Sequence, residues 1–282
     1  MSKTPLWKSY VRDVRCLMLH TALSHVGRSG IHFLKGMGGA LSLSIQALAA
    51  TCTSRGALSI SASQTVSTIA RCFVPVCLVI GPISAMLAIQ SLTLTRLFGV
   101  ERLFAPLITV TIVRELAPGF SSVMVCFQAG AGISAELATM RTHEEIDAIE
   151  VMGLDPKRLL LGPRIIASMI AAPILSTISI FAGLFSSYVA AVLFLDMPRA
   201  LFIDHIFDGL TLTDIWLSVF KCVIFGFGLG AISVTNGFFA RPGPEGIGHA
   251  TNRTVVAAVM MVMIANYILN TLFMGLRGGG VL

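Results

Sequence analysis

The stretch "TVTIVRELAPGFSSVMVCF", residues 109–127, is an apolar run that holds two adjacent opposite charges, Arg114 and Glu115, and soon after them a proline, Pro118. Its surroundings decide how it is read. The 282 residues are 55% hydrophobic and 12% charged, with a mean hydropathy of +0.85, whereas a soluble domain carries about 25% charged residues. Such a composition excludes a soluble domain. A helix needs about 20 apolar residues to cross a bilayer, and uncharged windows at 72–95, 116–135, 165–195, 222–240 and 254–276 supply five. The expectation is an all-α integral membrane protein. Its spans are placed at about 68–98, 103–135, 163–195, 214–240 and 253–276, within a membrane domain of residues 66–282 that follows an N-terminal segment, 1–65. Gly and Pro recur inside the windows, which spanning helices tolerate when neighbours satisfy the freed backbone groups.

The net charge of +6 marks topology rather than a nucleic-acid partner. Ahead of Thr95 stand eight Lys and Arg against one acid, Asp13, so the positive-inside rule places the N-terminus in the cytoplasm. Five spans then leave Leu282 outside. Fourteen basic residues fall on the inner side and four on the outer, and two, Arg114 and Lys221, fall within spans. Five of the six cysteines lie in or beside apolar stretches without metal-ligand spacing and read as packing residues. The N-terminus lacks the pattern of a cleaved signal peptide. Residues 34–50 mix Gly, Ser and aliphatics around one Lys and read as an interfacial helix on the inner leaflet, with a sixth span as the alternative.

A charge at the centre of a spanning helix costs about 2.5–3.5 kcal/mol on insertion scales, so it faces a bundle interior or a watery cavity. Consecutive helical residues point about 100° apart, so Arg114 and Glu115 address different neighbours. Lys221 of the fourth span is the candidate partner for Glu115. Gln90, late in the first span, is a further polar candidate, equally readable as interhelical glue. Lining of a cavity and a buried ion pair that only fixes packing both remain open on these residues alone.

The loop between the second and third windows reads "ELATMRTHEEIDAIEVMGLDP", residues 136–156. Thr142 with Glu145 three places on predicts a capping box, and Gly153 and Pro156 a stop, giving a helix over about 143–152. Ile146, Ile149 and Met152 fall on one face and Glu144, Asp147 and Glu150 on the other. Such a helix either packs on its own bundle or docks into a cytoplasmic partner. The chain has no G-x-x-x-x-G-K-[ST] phosphate loop, so it is not read as an ATP-hydrolysing enzyme; active transport would need a separate ATPase subunit.

"RELAP" (114–118), "AELATMRTHEEIDAIEVMGLDP" (135–156) and "RPGPEGIGHATNRTVV" (241–256), in this order and spacing, resemble the MlaE-type (MlaE/YrbE) permeases of phospholipid-transporting ABC systems. The resemblance covers roughly residues 66–275. It implies a five-span permease with an N-terminal interfacial helix and a cytoplasmic coupling helix, working as a homodimer without a cofactor of its own. The implied partners are an MlaF-like ATPase, an MlaD-like MCE-domain protein and an MlaB-like accessory subunit, and the implied substrate is phospholipid moved between inner and outer membranes to maintain outer-membrane asymmetry. The implied location is the bacterial inner membrane, with the plastid inner envelope as alternative. By resemblance the lipid cavity would involve Arg114, Glu115, Lys221 and Gln90, and the ATPase would be gripped through Glu136, Arg141, Glu144, Glu145, Asp147 and Glu150. Two departures stand out: the family pattern usually has Arg at the positions of Gln128 and His249.

Between the third and fourth windows, Asp196, Asp204, His205, Asp208 and Asp214 lack a tight ligand pattern, so no metal is expected there. An amphipathic outer segment facing the MCE partner is the preferred reading. The turn-rich loop at 241–253 carries Arg241, Glu245 and Arg253 to the cytoplasmic face, where it braces the ATPase or only connects two helices. The rival function is an ion-coupled secondary transporter using Arg114, Glu115 and Lys221 as a charge relay; a scaffold for other membrane subunits is the third.

Overall fold

A computed structural model describes residues 42–49, 51, 57–206 and 208–278. The chain divides into two compact units, Met1–Leu43 and Ser44–Leu282, and the fold below is that of the second. Its elements are α1 (Ala57–Leu97), α2 (Glu101–Thr142), α3 (Glu145–Val151), α4 (Lys157–Phe194), α5 (Arg199–His205), α6 (Leu212–Phe238) and α7 (Pro244–Gly278). No strand occurs among the described residues. The protein is an all-α integral membrane protein in which α1, α2, α4, α6 and α7 are long and apolar enough to cross a bilayer.

The helices overrun the uncharged windows because an α-helix stops where its backbone is broken, not where its hydropathy falls. α2 continues seven residues past Ala135, through Glu136 and Arg141, until the chain turns at His143 and Glu144. Left-handed glycines close other connections, Gly99 (φ 69°) after α1, Gly153 (φ 76°) after α3 and Gly243 (φ 112°) before α7.

α4 is the centre of the bundle, lying along α1 on one side and α6 on the other, while α7 packs on α6 and on the second half of α2. One apolar core joins Val76, Ile80, Leu116, Val125, Leu175, Phe225 and Leu229 with Ala258 and Val262 of α7; a second gathers Leu92, Phe104, Ile108, Ile112 and Ala191 under Phe202 of α5. α6 approaches α4 so closely that a Cβ on Gly226 would stand 2.5 Å from the Ser168 carbonyl oxygen, and one on Gly230 3.1 Å from Ile165 Cα. Small residues four apart form the flat ridge that lets two membrane helices meet backbone to backbone. Burial is uneven: 56% of the most apolar window of α2 is buried in the chain, and only 11% of that of α7.

α2 is not a uniform helix. Wide π-turns occupy Ile112–Leu116 and Cys126–Gly130, the first closed by the Ala117 amide donating to the Ile112 carbonyl five residues back. Insertions of this kind displace the side chains beyond them, and the first holds both Arg114 and Glu115.

One expectation changes. The capping box at Thr142 does not form. Thr142 is the last residue of α2, its hydroxyl donating to the Ala138 carbonyl at 2.9 Å and accepting from the Gly243 amide at 3.2 Å, and α3 starts at Glu145 rather than 143. Glu144 takes a left-handed conformation (φ 59°) that reverses the chain between the two helices. A Thr hydroxyl in the last turn of a helix can bond the carbonyl four residues back, which competes with its use as a cap for the next helix. The interfacial helix expected over 34–50 lies partly outside the described residues; within the second unit, residues 44–49 are helical, and Ser44, Ala47 and Thr51 are buried.

Candidate functional site

Pro118 begins the site. It has no N–H, so the Arg114 carbonyl loses its ordinary donor four residues on. Lys221 of α6 supplies a replacement: its ammonium donates to that oxygen at 3.2 Å. The same ammonium donates to Asn270 Oδ1 of α7, and the Asn270 amide nitrogen donates to Glu115 Oε2. Asn266, one turn before Asn270, has its amide nitrogen 3.5 Å from the same carboxylate oxygen. Lys221 is 1% exposed, while Glu115 is open at the chain surface. The proposed direct pair of Glu115 and Lys221 is therefore replaced by a relay through Asn270. An amide can accept from an ammonium with one end and donate to a carboxylate with the other, so it holds both charges in fixed places without neutralising them in a single contact.

Arg114 turns the other way. Its Nε lies 2.9 Å from Asp214 Oδ1 and its Nη2 donates to Oδ2 at 2.9 Å. Asp214 is the third residue of α6 and belongs to a true capping box: Oδ2 accepts from the Thr211 amide at 3.1 Å and hydroxyl at 2.8 Å. A carboxylate only 1% exposed thus meets an arginine, which bonds it through Nη2 while Nε stays without a hydrogen bond, and a helix start at once. Sequence reading weighed Asp214 only as a metal-ligand candidate and missed its role. The Thr211–Asp214 spacing was the available signal. Asn266 and Asn270 were missed as well, although two amides four residues apart in the apolar run of α7 mark one polar stripe.

Gln90 is not part of this cluster; it is exposed on α1, and the bonds of Arg114, Glu115 and Lys221 run to α6 and α7 instead. Cys72, Cys77, Cys126 and Cys222 are free. In the segment before α6, His205 and Asp208 lie 2.5 Å apart, and Asp196 takes φ 50° at the turn into α5.

At the opposite end of α2 the loop residues gather. Arg141 donates to Asp147 at 2.6 Å and pins α3 to α2. Ile146 is fully buried against its own bundle, whereas Met152 is 66% exposed beside Val151 and Leu154, so the apolar stripe divides between two surfaces. Glu144, Glu145, Asp147 and Glu150 point outward. Glu136 joins α1 and α4, 3.7 Å from Arg71 and 3.4 Å from Arg164, and with Gln64 and Gln128 these residues line a cavity of about 80 Å³. Of the two departures from the family pattern, Gln128 lies in this cavity and His249 stands 3.7 Å from Glu245 on the exposed start of α7.

Residues 61–272 match the family described as Permease MlaE. The chain belongs to the MlaE permease family. A probable ABC transporter permease protein of Rickettsia prowazekii is 33% identical over 189 residues, 67% of this chain and 73% of that one. The chloroplast protein TRIGALACTOSYLDIACYLGLYCEROL 1 of Arabidopsis thaliana is 31% identical over 179 residues, 64% of this chain and 51% of its own, and a probable ABC transporter permease protein of Synechocystis is 28% identical over 175 residues. An MlaE permease is the membrane subunit of an ABC transporter, which implies an ATPase partner. The Arg114–Glu115 turn and the connector around α3 both fall inside the matched segment.

Proposed function

We propose that this chain is the permease of an ABC transporter that moves phospholipid between the inner and outer membranes, with its N-terminus in the cytoplasm. The observation that carries the reading is the relay of Glu115, Asn270 and Lys221: a fixed ion arrangement inside the apolar thickness, open at Glu115 on the sparsely buried α7 side. A phospholipid needs such sparse polarity, a few charges for the headgroup beside a long apolar wall for the chains. The name of the Arabidopsis relative is that of a diacylglycerol lipid, in keeping with a lipid cargo. Two copies facing each other across the exposed α7 side would enclose a lipid-sized space beside Glu115. An MlaF-like ATPase would seat on the connector, where the exposed Val151, Met152 and Leu154 and the carboxylates of α3 offer an apolar knob in an acidic rim. An MlaD-like MCE-domain protein, joined by an MlaB-like accessory subunit on the ATPase side, completes the assembly, which serves outer-membrane lipid asymmetry in a bacterial inner membrane.

The test is Glu115→Arg in the reconstituted complex, read as ATP-dependent transfer of labelled phospholipid out of proteoliposomes. Transfer should fall at least about tenfold while the subunits still co-purify, since a second cation would stand against Lys221 with no carboxylate between them. Undiminished transfer by that variant would remove Glu115 from the lipid path.

A further inference from the structure

The cavity between α1, α2 and α4 stands apart from the Glu115 relay. Glu115 and Glu136 are twenty-one residues apart on α2, which at about 1.5 Å per residue separates them by roughly 30 Å, the thickness of the apolar layer. Its polar groups are loosely used. Glu136 is shared by two guanidinium groups at 3.4 and 3.7 Å, long beside the paired 2.9 Å contacts of Arg114 with Asp214. Arg164 has a side chain only 10% exposed, yet its Nε has no hydrogen-bond partner, and neither has the buried Gln64 Oε1. Buried donors and acceptors left over in this way call for a ligand or water. Two cations against one carboxylate leave the cavity positive, and guanidinium forks match the oxygens of a phosphate.

The wall that leads away from the cavity changes character in one direction. Gln64, Thr68 and Arg71 follow one another at helical spacing on α1, and the same stripe continues with Val74 and Leu78. Val74 is 56% exposed and Leu78 68%. A polar cavity of about 80 Å³ is too small for acyl chains but several times the ~15 Å³ that one water needs. The surface beside it therefore complements an amphiphile: a phosphate-bearing head at the connector end of the bundle, and chains lying towards the middle of the membrane.

We propose that this cavity is a second phospholipid site, in which Arg71 and Arg164 hold the headgroup phosphate, Gln64 accepts from a hydroxyl or ammonium of the headgroup, and Val74 and Leu78 receive the first part of the acyl chains. It rests on the phospholipid reading only for the class of ligand. In the topology proposed above it lies in the inner leaflet, where a lipid would wait before or after the Glu115 relay.

The experiment titrates the purified full-length chain, in maltoside detergent, with dihexanoyl phosphatidylglycerol, in wild type and in a Lys221→Gln background that disables the relay. Arg71, with 67% of its side chain exposed, can be changed without burying a hole. Arg71→Gln should weaken binding about fivefold and Glu136→Gln should strengthen it by a similar factor, because one removes a phosphate partner and the other its competitor. Both effects should persist in the Lys221→Gln background, so a failure of the relay as the transport site would leave them standing. Wild-type affinity in both variants, or weaker binding in Glu136→Gln, would reduce the cluster to an ion-pair lock and overturn the site. Sodium phosphate is the competitor: displacement only at large excess supports a lipid headgroup, and displacement as effective as by the lipid itself would overturn the headgroup assignment in favour of free phosphate.

Discussion

The two charged regions of α2 are built on opposite rules. Around Arg114 and Glu115 every charged group has at least one short directed partner: Arg114 Nη2 donates to Asp214, Asn270 links Lys221 to Glu115, and the ammonium also satisfies the carbonyl that Pro118 leaves open, with Arg114 Nε and Asn266 Oδ1 the atoms left over. Around Glu136 the contacts are longer, one carboxylate serves two cations, and polar atoms of Gln64 and Arg164 remain without partners. The first region is an organised network, costly to disturb at any member. In the second, polarity is held in reserve. What separates a structural charge from a binding one is thus the fraction of its hydrogen-bonding capacity already spent, not its depth in the bundle.

The largest expected effect lies in the organised region. Asp214→Asn keeps the cap oxygen but leaves Arg114 without its counter-charge, and should cost about 3 kcal/mol, the low end for breaking a buried ion pair, because 31% of the Arg114 side chain stays exposed. Thermal unfolding of the detergent-solubilised chain reads it. The double variant Arg114→Met with Asp214→Asn should recover most of the loss. If the double variant is no more stable than Asp214→Asn alone, the pair does not act as a unit and the contrast between the regions weakens.

Asn270→Leu comes next. It removes one of the two acceptors of a buried ammonium, which keeps the Arg114 carbonyl, and the nearer amide donor of Glu115 in one step, and such a loss of a buried polar partner costs about 1–3 kcal/mol. Lipid transfer by the reconstituted complex should fall further than stability does, since Glu115 would no longer be held in place. Equal transfer at equal expression would make Asn270 a packing residue and leave Glu115 to act alone.

Much of this was legible beforehand, and the division is physical. Five spans follow from the uncharged windows, because apolar length is a property of the chain itself. Helix ends were not readable from hydropathy, since α2 extends past Ala135 on hydrogen bonds that hydropathy does not register. The intramembrane charges were found because Arg114, Glu115 and Lys221 stand out against apolar neighbours. Their partners were not: Asp214 sat among four acidic residues that read as a surface, and Asn266 and Asn270 carry no charge to draw attention. The capping motif was assigned to Thr142 when the working box is Thr211 with Asp214; both fit the pattern, and only the path of the preceding chain decides between them. Gln64 and Arg71 could not be joined to Glu136 and Arg164 from sequence, because three helices must be packed before they meet.

Gln64→Leu separates the two regions most cleanly, although its effect is the smallest. In the organised cluster an amide-to-leucine change breaks two bonds; at Gln64 the same kind of change removes a carbonyl oxygen that is buried and bonded to nothing. An unpartnered polar atom is a cost to the folded state, so its loss should be neutral or stabilising by up to about 1 kcal/mol. Opposite signs for Asn270→Leu and Gln64→Leu in one thermal-unfolding series would therefore establish that the two regions differ in spent and unspent capacity. The chemical reason a chain would keep a destabilising glutamine is that something else uses its oxygen. Gln64→Leu should then weaken dihexanoyl phosphatidylglycerol binding while it raises stability, a combination that a purely structural glutamine does not produce. If Gln64→Leu destabilises as Asn270→Leu does, the carbonyl is satisfied in the folded protein, and the contrast between the two ends of α2 disappears with it.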